Sequence, residues 1–163
     1  MQIADWFLKL GANESLVTFL ISMLPVVELR LAIPVGVSMG LSVTKAALIS
    51  IVGNMLPTPF IIAFIRQIME WLRGRADWMR RFVEWLERKG TGPKAERVRR
   101  YEFWGLMILV AIPLPGTGAW TGALVAAMLH IRMKRALPPI FLGVLIAALI
   151  VSLATAGIIQ LVV

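Results

Sequence analysis

Met23-Leu24-Pro25-Val26-Val27-Glu28-Leu29-Arg30-Leu31-Ala32-Ile33-Pro34-Val35-Gly36 decides how this chain is read. The stretch lies inside an apolar run from Ser15 to Leu41, yet holds a carboxylate, a guanidinium, two prolines and a glycine. A charge at mid-bilayer costs about 2.5–3.5 kcal/mol on insertion scales. Something must compensate Glu28 and Arg30. Residues 15–24 make about 15 Å of helix, half of a roughly 30 Å hydrocarbon core, before Pro25 interrupts them. Residues 31–41 cover about the same depth on the way back. A broken backbone at membrane depth is tolerated only where protein or a watery cavity covers it. The run from Ser15 to Leu41 is therefore expected to be a re-entrant helix hairpin.

Outward from this stretch the chain keeps the character of an integral membrane protein. Of its 163 residues 59% are hydrophobic and 16% charged, and 11 of the 17 Lys and Arg fall between Arg66 and Arg100. The net charge of +8 flanks apolar segments, with no zinc-knuckle, RNP or helix-turn-helix pattern beside it, so membrane lipids rather than nucleic acid are the expected partner. Cysteine is absent, which excludes disulfides and thiolate metal sites. Residues 1–13 read as an interfacial amphipathic helix, with Ile3, Trp6, Phe7 and Leu10 on one face, and not as a removed signal peptide. Val43 to Ile65 is long enough to cross fully, with a weak point at Gly53-Asn54-Met55-Leu56-Pro57-Thr58-Pro59 where Asn54 and Thr58 can face an interior.

Residues 66–102 form a charged helical region, and from Phe64 just before it Trp71, Trp78 and Trp85 recur every seven residues. This stripe suits an in-plane interfacial helix or a soluble hairpin packed on itself or on a twin subunit. Gly90-Thr91-Gly92-Pro93 is a helix stop. A second apolar approach, Phe103 to Ile112, is again broken by proline, at Pro113-Leu114-Pro115-Gly116-Thr117-Gly118. Residues 123–130 return, and a last helix, with Pro138-Pro139 in its first turn, crosses to about Ile159.

Glu14 precedes Pro25 by eleven residues, and Glu102 precedes Pro113 by the same eleven. The order of elements also repeats: hinge, half-helix, proline break, half-helix, crossing. The predicted fold is all-α and integral to the membrane. It has two repeats in one membrane domain, 14–65 and 103–163, each a re-entrant hairpin plus one full transmembrane helix. One crossing per repeat puts both basic loops in the cytoplasm and both termini outside, as the positive-inside rule prefers, and makes the repeats inverted. Their broken tips would then meet near the midplane, where secondary transporters bind substrate.

The candidate substrate- or ion-binding residues are Pro25, Glu28, Arg30, Pro34, Gly36 and Asn54 from the first half and Pro113, Pro115, Gly116, Thr117 and Gly118 from the second. Glu28 and Arg30, two apart, would point nearly opposite ways on a continuous helix; in a non-helical break they can serve one cavity. Two readings stand. Either they neutralise each other and pin the repeats together, or they mark a substrate or proton path, with Glu28 as proton carrier or cation ligand and Arg30 as anion holder. The glycines of the second break can open an anion-accepting helix end, or pack tightly under the opposing tip. Trp120 reads as an interfacial anchor or, second, a gate, and His130 as a surface residue. No Ser-His dyad, HExxH or paired intramembrane aspartates accompany them, so neither an enzyme nor a metal or other cofactor is indicated.

Pro25-x-x-Glu28-Leu29-Arg30-x-Ala32-Ile33-Pro34-x-Gly36, with Ala111-Ile112-Pro113-Leu114-Pro115-Gly116-Thr117-Gly118-Ala119-Trp120-Thr121-Gly122-Ala123, resembles the small multidrug export protein family of prokaryotes over most of the chain. That family is similar in turn to the DedA superfamily. The resemblance implies an inner-membrane protein with inverted re-entrant hairpins that moves polyprenyl-phosphate or other lipids, Glu28 and Arg30 corresponding to the charges of the first DedA segment. The second DedA segment usually carries an arginine near its proline; Pro113 to Gly122 has none. The expected function is thus a transporter or lipid flippase, the alternatives being a proton-coupled exporter of small cationic amphiphiles and a non-transporting scaffold. A homodimer is expected, because two crossings enclose little volume.

Overall fold

A computed structural model describes residues 13–73, 94–114 and 117–162. Regular structure among them is all helical: α1 (Glu14–Ser22), α2 (Glu28–Ser38), α3 (Val43–Met55), α4 (Pro57–Arg73), α5 (Lys94–Ala111), α6 (Ala119–Met128) and α7 (Met133–Val162). The predicted N-terminal helix, the Gly90–Pro93 stop, and Pro115 and Gly116 lie outside the described residues, as does the tryptophan stripe beyond residue 73.

Both proline breaks are present; the first separates two short helices, and the second follows α5, which begins at Lys94 and not at the expected Phe103, so only its last part, Tyr101–Ala111, is apolar. α1 starts where Asn13 accepts a hydrogen bond from the Leu16 N–H at 2.8 Å, supplying an acceptor to one of the unpaired first-turn donors. It ends at Met23, and residues 23–27 turn before α2 begins. α2 opens at Glu28, earlier than the expected start at Leu31, so Arg30 stands in its first turn and not in an irregular break. Pro34 sits inside α2 and cannot donate to the Arg30 carbonyl one turn back. The crossing predicted over 43–65 is two helices in line. Leu56 N–H still reaches the Val52 carbonyl at 3.0 Å, and α4 then restarts at Pro57, where a missing donor costs little. α4 also runs on to Arg73, past the expected boundary at Arg66. α7 begins at Met133, five residues before Pro138, so the two prolines lie in its second turn and not its first.

Segments 43–65 and 133–158 are long and apolar enough to cross a bilayer, and only a third of each apolar window is buried inside the protein. A core helix of a water-soluble protein would be mostly covered. Instead Phe141, Leu145, Leu149 and Leu153 of α7 and Leu48, Val52, Phe60 and Phe64 of α3 and α4 face outward. Outward apolar faces of this length fit hydrocarbon, and the chain is a membrane protein.

The halves pack in the same order. α1 and α2 lie on each other and on α3; α5 and α6 lie on each other and on α7. Each second arm also reaches the other half, α2 against α7 and α6 against α4. Small residues permit the approach. A Cβ at Gly36 would lie 2.7 Å from Thr18 Oγ1 and 3.2 Å from Ala46 Cβ, and one at Gly143 would lie 2.6 Å from Val110 Cβ. α6 buries Ala119, Gly122, Ala123, Ala126 and Ala127. Without an aqueous driving force between helices, such close packing is what holds them together.

Candidate functional site

The two breaks meet. Glu28 has φ +46, the left-handed region that a non-glycine residue enters rarely and at a cost. This takes its side chain off the helical direction, so two charges that a continuous helix would send apart close on each other: Arg30 Nη1 donates to Glu28 Oε2 at 2.7 Å. The Glu28 side chain is 3% exposed and that of Arg30 13%.

Both charges then reach across to the second half. Arg30 Nη2 donates to the Ile112 carbonyl at 2.9 Å and to Thr117 Oγ1 at 3.1 Å. Thr117 is held in turn, its hydroxyl lying 2.7 Å from the Ile112 carbonyl and 2.9 Å from that of Leu114. Glu28 Oε1 accepts from the Trp120 backbone N–H at 3.3 Å. Gly118, the N-cap of α6, has no side chain to offer the first turn; the Glu28 carboxylate from the other half takes that place, where the helix dipole also favours a negative charge. Gly118 has φ +149, and a Cβ there would overlap the Glu28 carboxylate and lie 2.5 Å from Arg30 Nη1. Glycine is required twice, for its backbone angle and for the space.

Trp120, expected as an interfacial anchor, is a bridge: its indole Nε1 donates to the Met23 carbonyl at 3.1 Å, tying the second break to the first. Its i+2 position after a capping glycine was the available signal, since that is where a helix N-terminus offers a free N–H. His130 is exposed, with φ +55 at the end of α6.

Asn54 is fully buried beside the Glu28 carboxylate, its amide near enough to be a hydrogen-bonding neighbour of that group but short of a regular hydrogen bond. Ser50, one turn earlier on the same face of α3, is likewise buried with its hydroxyl unpaired, and so is Arg30 Nε. Buried polar atoms without partners are uncommon and mark places where water or a ligand is accommodated. Of the other candidates, Pro34 and Gly36 lie along α2, Gly36 serving the packing against Thr18 and Ala46. Pro25 and Pro113 are exposed in their turns. A separate apolar cleft of about 290 Å³ between α5 and α6 is lined by Leu106, Leu109, Val125 and Leu129 and shares no residue with the junction.

The chain is therefore a membrane protein, with helices as its only regular structure among the described residues, in which a buried ion pair of the first interrupted apolar segment is hydrogen-bonded to the second. Residues 28–150 match the family described as "Putative small multi-drug export protein", and the chain belongs to that family. No curated protein and no solved structure matches it.

Proposed function

We propose that this protein is a membrane transporter whose translocation site is the junction of Glu28, Arg30, Thr117, Gly118 and Trp120, with Asn54 alongside. The observation that carries the reading is the Glu28–Arg30 pair, buried in an apolar segment and bonded to the backbone of the second break. A purely structural core gains nothing from such a pair that apolar residues of equal volume would not supply as well. Ionisable groups inside a membrane protein mark substrate and proton paths by default. The repeated packing order supports inverted halves whose hairpins enter the inner membrane from opposite faces, as proposed for the DedA superfamily. In this reading the paired state is the closed one. Breaking the Arg30 contacts to Ile112 and Thr117 would part the two tips and free a guanidinium for a phosphate-bearing lipid.

The family description favours a second reading, proton-coupled export of small cationic amphiphiles, in which Glu28 is the group released. Proteoliposomes decide between them. A fluorescent phosphate-bearing lipid and a cationic dye are offered to the wild type, Glu28→Gln and Arg30→Gln, each first shown monodisperse with native helix content. A flippase moves the lipid and loses at least about tenfold of its rate in Arg30→Gln. An exporter moves the dye under a pH gradient and loses it in Glu28→Gln. Transport of either substrate unaffected by both substitutions refutes the assignment of the site, and a scaffold would transport neither.

A further inference from the structure

One glycine in each half makes the same close approach, with opposite surroundings. A Cβ at Gly53 would overlap Ser22 Oγ and lie 2.8 Å from the Phe19 carbonyl; one at Gly143 would lie 2.6 Å from Val110 Cβ and 2.7 Å from the Met107 carbonyl. Counted from each glycine and the carbonyl it meets, Thr18, Ser22, Ser50 and Asn54 stand in the first half where Leu106, Val110, Ile140 and Val144 stand in the second. All eight are buried, none more than 3% exposed. The second half thus packs this joint with apolar side chains alone, and packing does not account for the four polar ones. Nor do the hydroxyls bond α1 to α3, which is their ordinary use between membrane helices. Thr18 and Ser22 donate to carbonyls of their own helix, Glu14 at 2.7 Å and Phe19 at 2.6 Å, and Ser50 Oγ has no partner.

The polar stripe leads from an exposed end to the buried carboxylate. Ser42, Ala46, Ser50 and Asn54 follow one another along α3 at about 6 Å each, from the exposed N-cap Ser42 to the neighbour of Glu28. Thr18 covers the level of Ala46, since both meet the position of a Cβ on Gly36, and the exposed Asn13 and Glu14 open α1 at the same end. With their protons given to the backbone, Thr18 and Ser22 present lone pairs to the seam, beside the unpartnered Ser50 hydroxyl. Water suits such a set, since a buried water takes about 2–4 polar partners.

We propose that the α1–α3 seam is a water-lined proton entry, in which water held by Thr18, Ser22, Ser50 and Asn54 carries protons from the Ser42 end of α3 to the Glu28 carboxylate. The proton adds to a carboxylate oxygen to give the carboxylic acid, no other bond changes, and Arg30 keeps its charge. It leaves to water on the opposite side when the tips part. The groups facing Glu28 are Arg30 on α2, Asn54 on α3 and the Trp120 N–H on α6, of which Arg30 alone is charged. Protonation removes the anion of the pair, so the contacts between the two halves weaken when a proton arrives. The inference rests on Glu28 being the protonated group of the second reading above, and it adds the route. Because the equivalent joint of the second half is apolar, Glu28 is loaded from one side only.

The test is proton uptake by proteoliposomes, read with pyranine trapped inside and the potential clamped by potassium and valinomycin, with and without the cationic dye. Ser50→Val and Ser50→Thr share one shape and differ in the hydroxyl. Ser50→Thr is expected within about twofold of the wild type and Ser50→Val at least about tenfold slower, the scale of one hydrogen bond lost from the path. Glu28→Gln, which has no carboxylate to protonate, sets the floor. Equal rates in the two Ser50 variants overturn the proposal, as does a wild type no faster than Glu28→Gln. A side chain larger than serine can overpack the seam, so each chain is first shown monodisperse with native helix content. If the Ser50 chains fail this, Thr18→Val and Thr18→Ser decide at the native shape: a slow Val and a normal Ser support the route, and equal rates overturn it. Hydroxyl-dependent uptake in vesicles that move neither lipid nor dye would leave this inference standing and remove the transport reading. Dye export lost in Glu28→Gln but equal in the two Ser50 variants would do the reverse.

Discussion

Gly118→Ala tests the junction at its narrowest point. Gly118 has φ +149 and ψ −165, a region essentially restricted to glycine, and holding a residue with a Cβ there costs about 1–3 kcal/mol. The added methyl would also overlap the Glu28 carboxylate and lie 2.5 Å from Arg30 Nη1. Glu28 cannot retreat by rotating a flexible chain end into water, since its side chain is 3% exposed. It must leave Arg30 or the Trp120 N–H, and a hydrogen bond to a charged group contributes about 1.5–3 kcal/mol. The two costs together come to about 2.5–6 kcal/mol, a large part of the roughly 5–15 kcal/mol by which folded chains are stable. Gly105→Ala in α5 and Gly157→Ala in α7 are the matched controls. Nothing lies within 4 Å of a Cβ at either position, so the same chemical change should gain up to about 1 kcal/mol of helix propensity. Thermal unfolding in detergent, followed by far-UV circular dichroism, is expected to put Gly118→Ala about 5 °C or more below the wild type and both controls at or above it. A Gly118→Ala chain that melts with the wild type would refute the close approach of the two breaks.

Asn54→Leu replaces a buried amide, itself short of a regular hydrogen bond, with an apolar group of similar volume. It is expected to raise stability by about 1–3 kcal/mol while lowering transport in proteoliposomes; a fall in melting temperature with transport intact would make Asn54 a packing residue. Topology is open to direct measurement because the chain has no native cysteine. With single cysteines at Ser42, Gly92 and Lys134, an impermeant thiol reagent added to intact cells is expected to label position 42 alone. Labelling at 134 but not at 92 from outside would sink the re-entrant reading and make the two broken segments full crossings.

The sequence by itself determined the class of protein, the helical character of the described segments and the location of the two breaks, because these follow from local facts. Apolar length sets what can cross a bilayer, proline removes a donor wherever it falls, and Gly118 and Pro113 announce a helix end without any knowledge of their neighbours. It also singled out Glu28 and Arg30, since two charges in an apolar run are visible in one dimension. That they could pair and pin the two halves was one of its two readings; which groups of the second half they touch was not legible. Helical geometry sends residues two apart to opposite sides, and only the left-handed backbone at Glu28, together with the approach of α6, lets the pair close on itself and on Ile112, Thr117 and Trp120. Trp120 is illegible for the same reason: an indole beside a helix end suits an anchor or a gate alike, and only the tertiary structure brings its N–H to the Met23 carbonyl 97 residues away. The close approach of Gly36 to Thr18 and Ala46, which joins three helices, is equally invisible in one dimension. Element and composition are encoded within a few turns of chain. The junction depends on contacts between residues some 80 to 100 positions apart, and no local preference specifies which carbonyl a guanidinium will find.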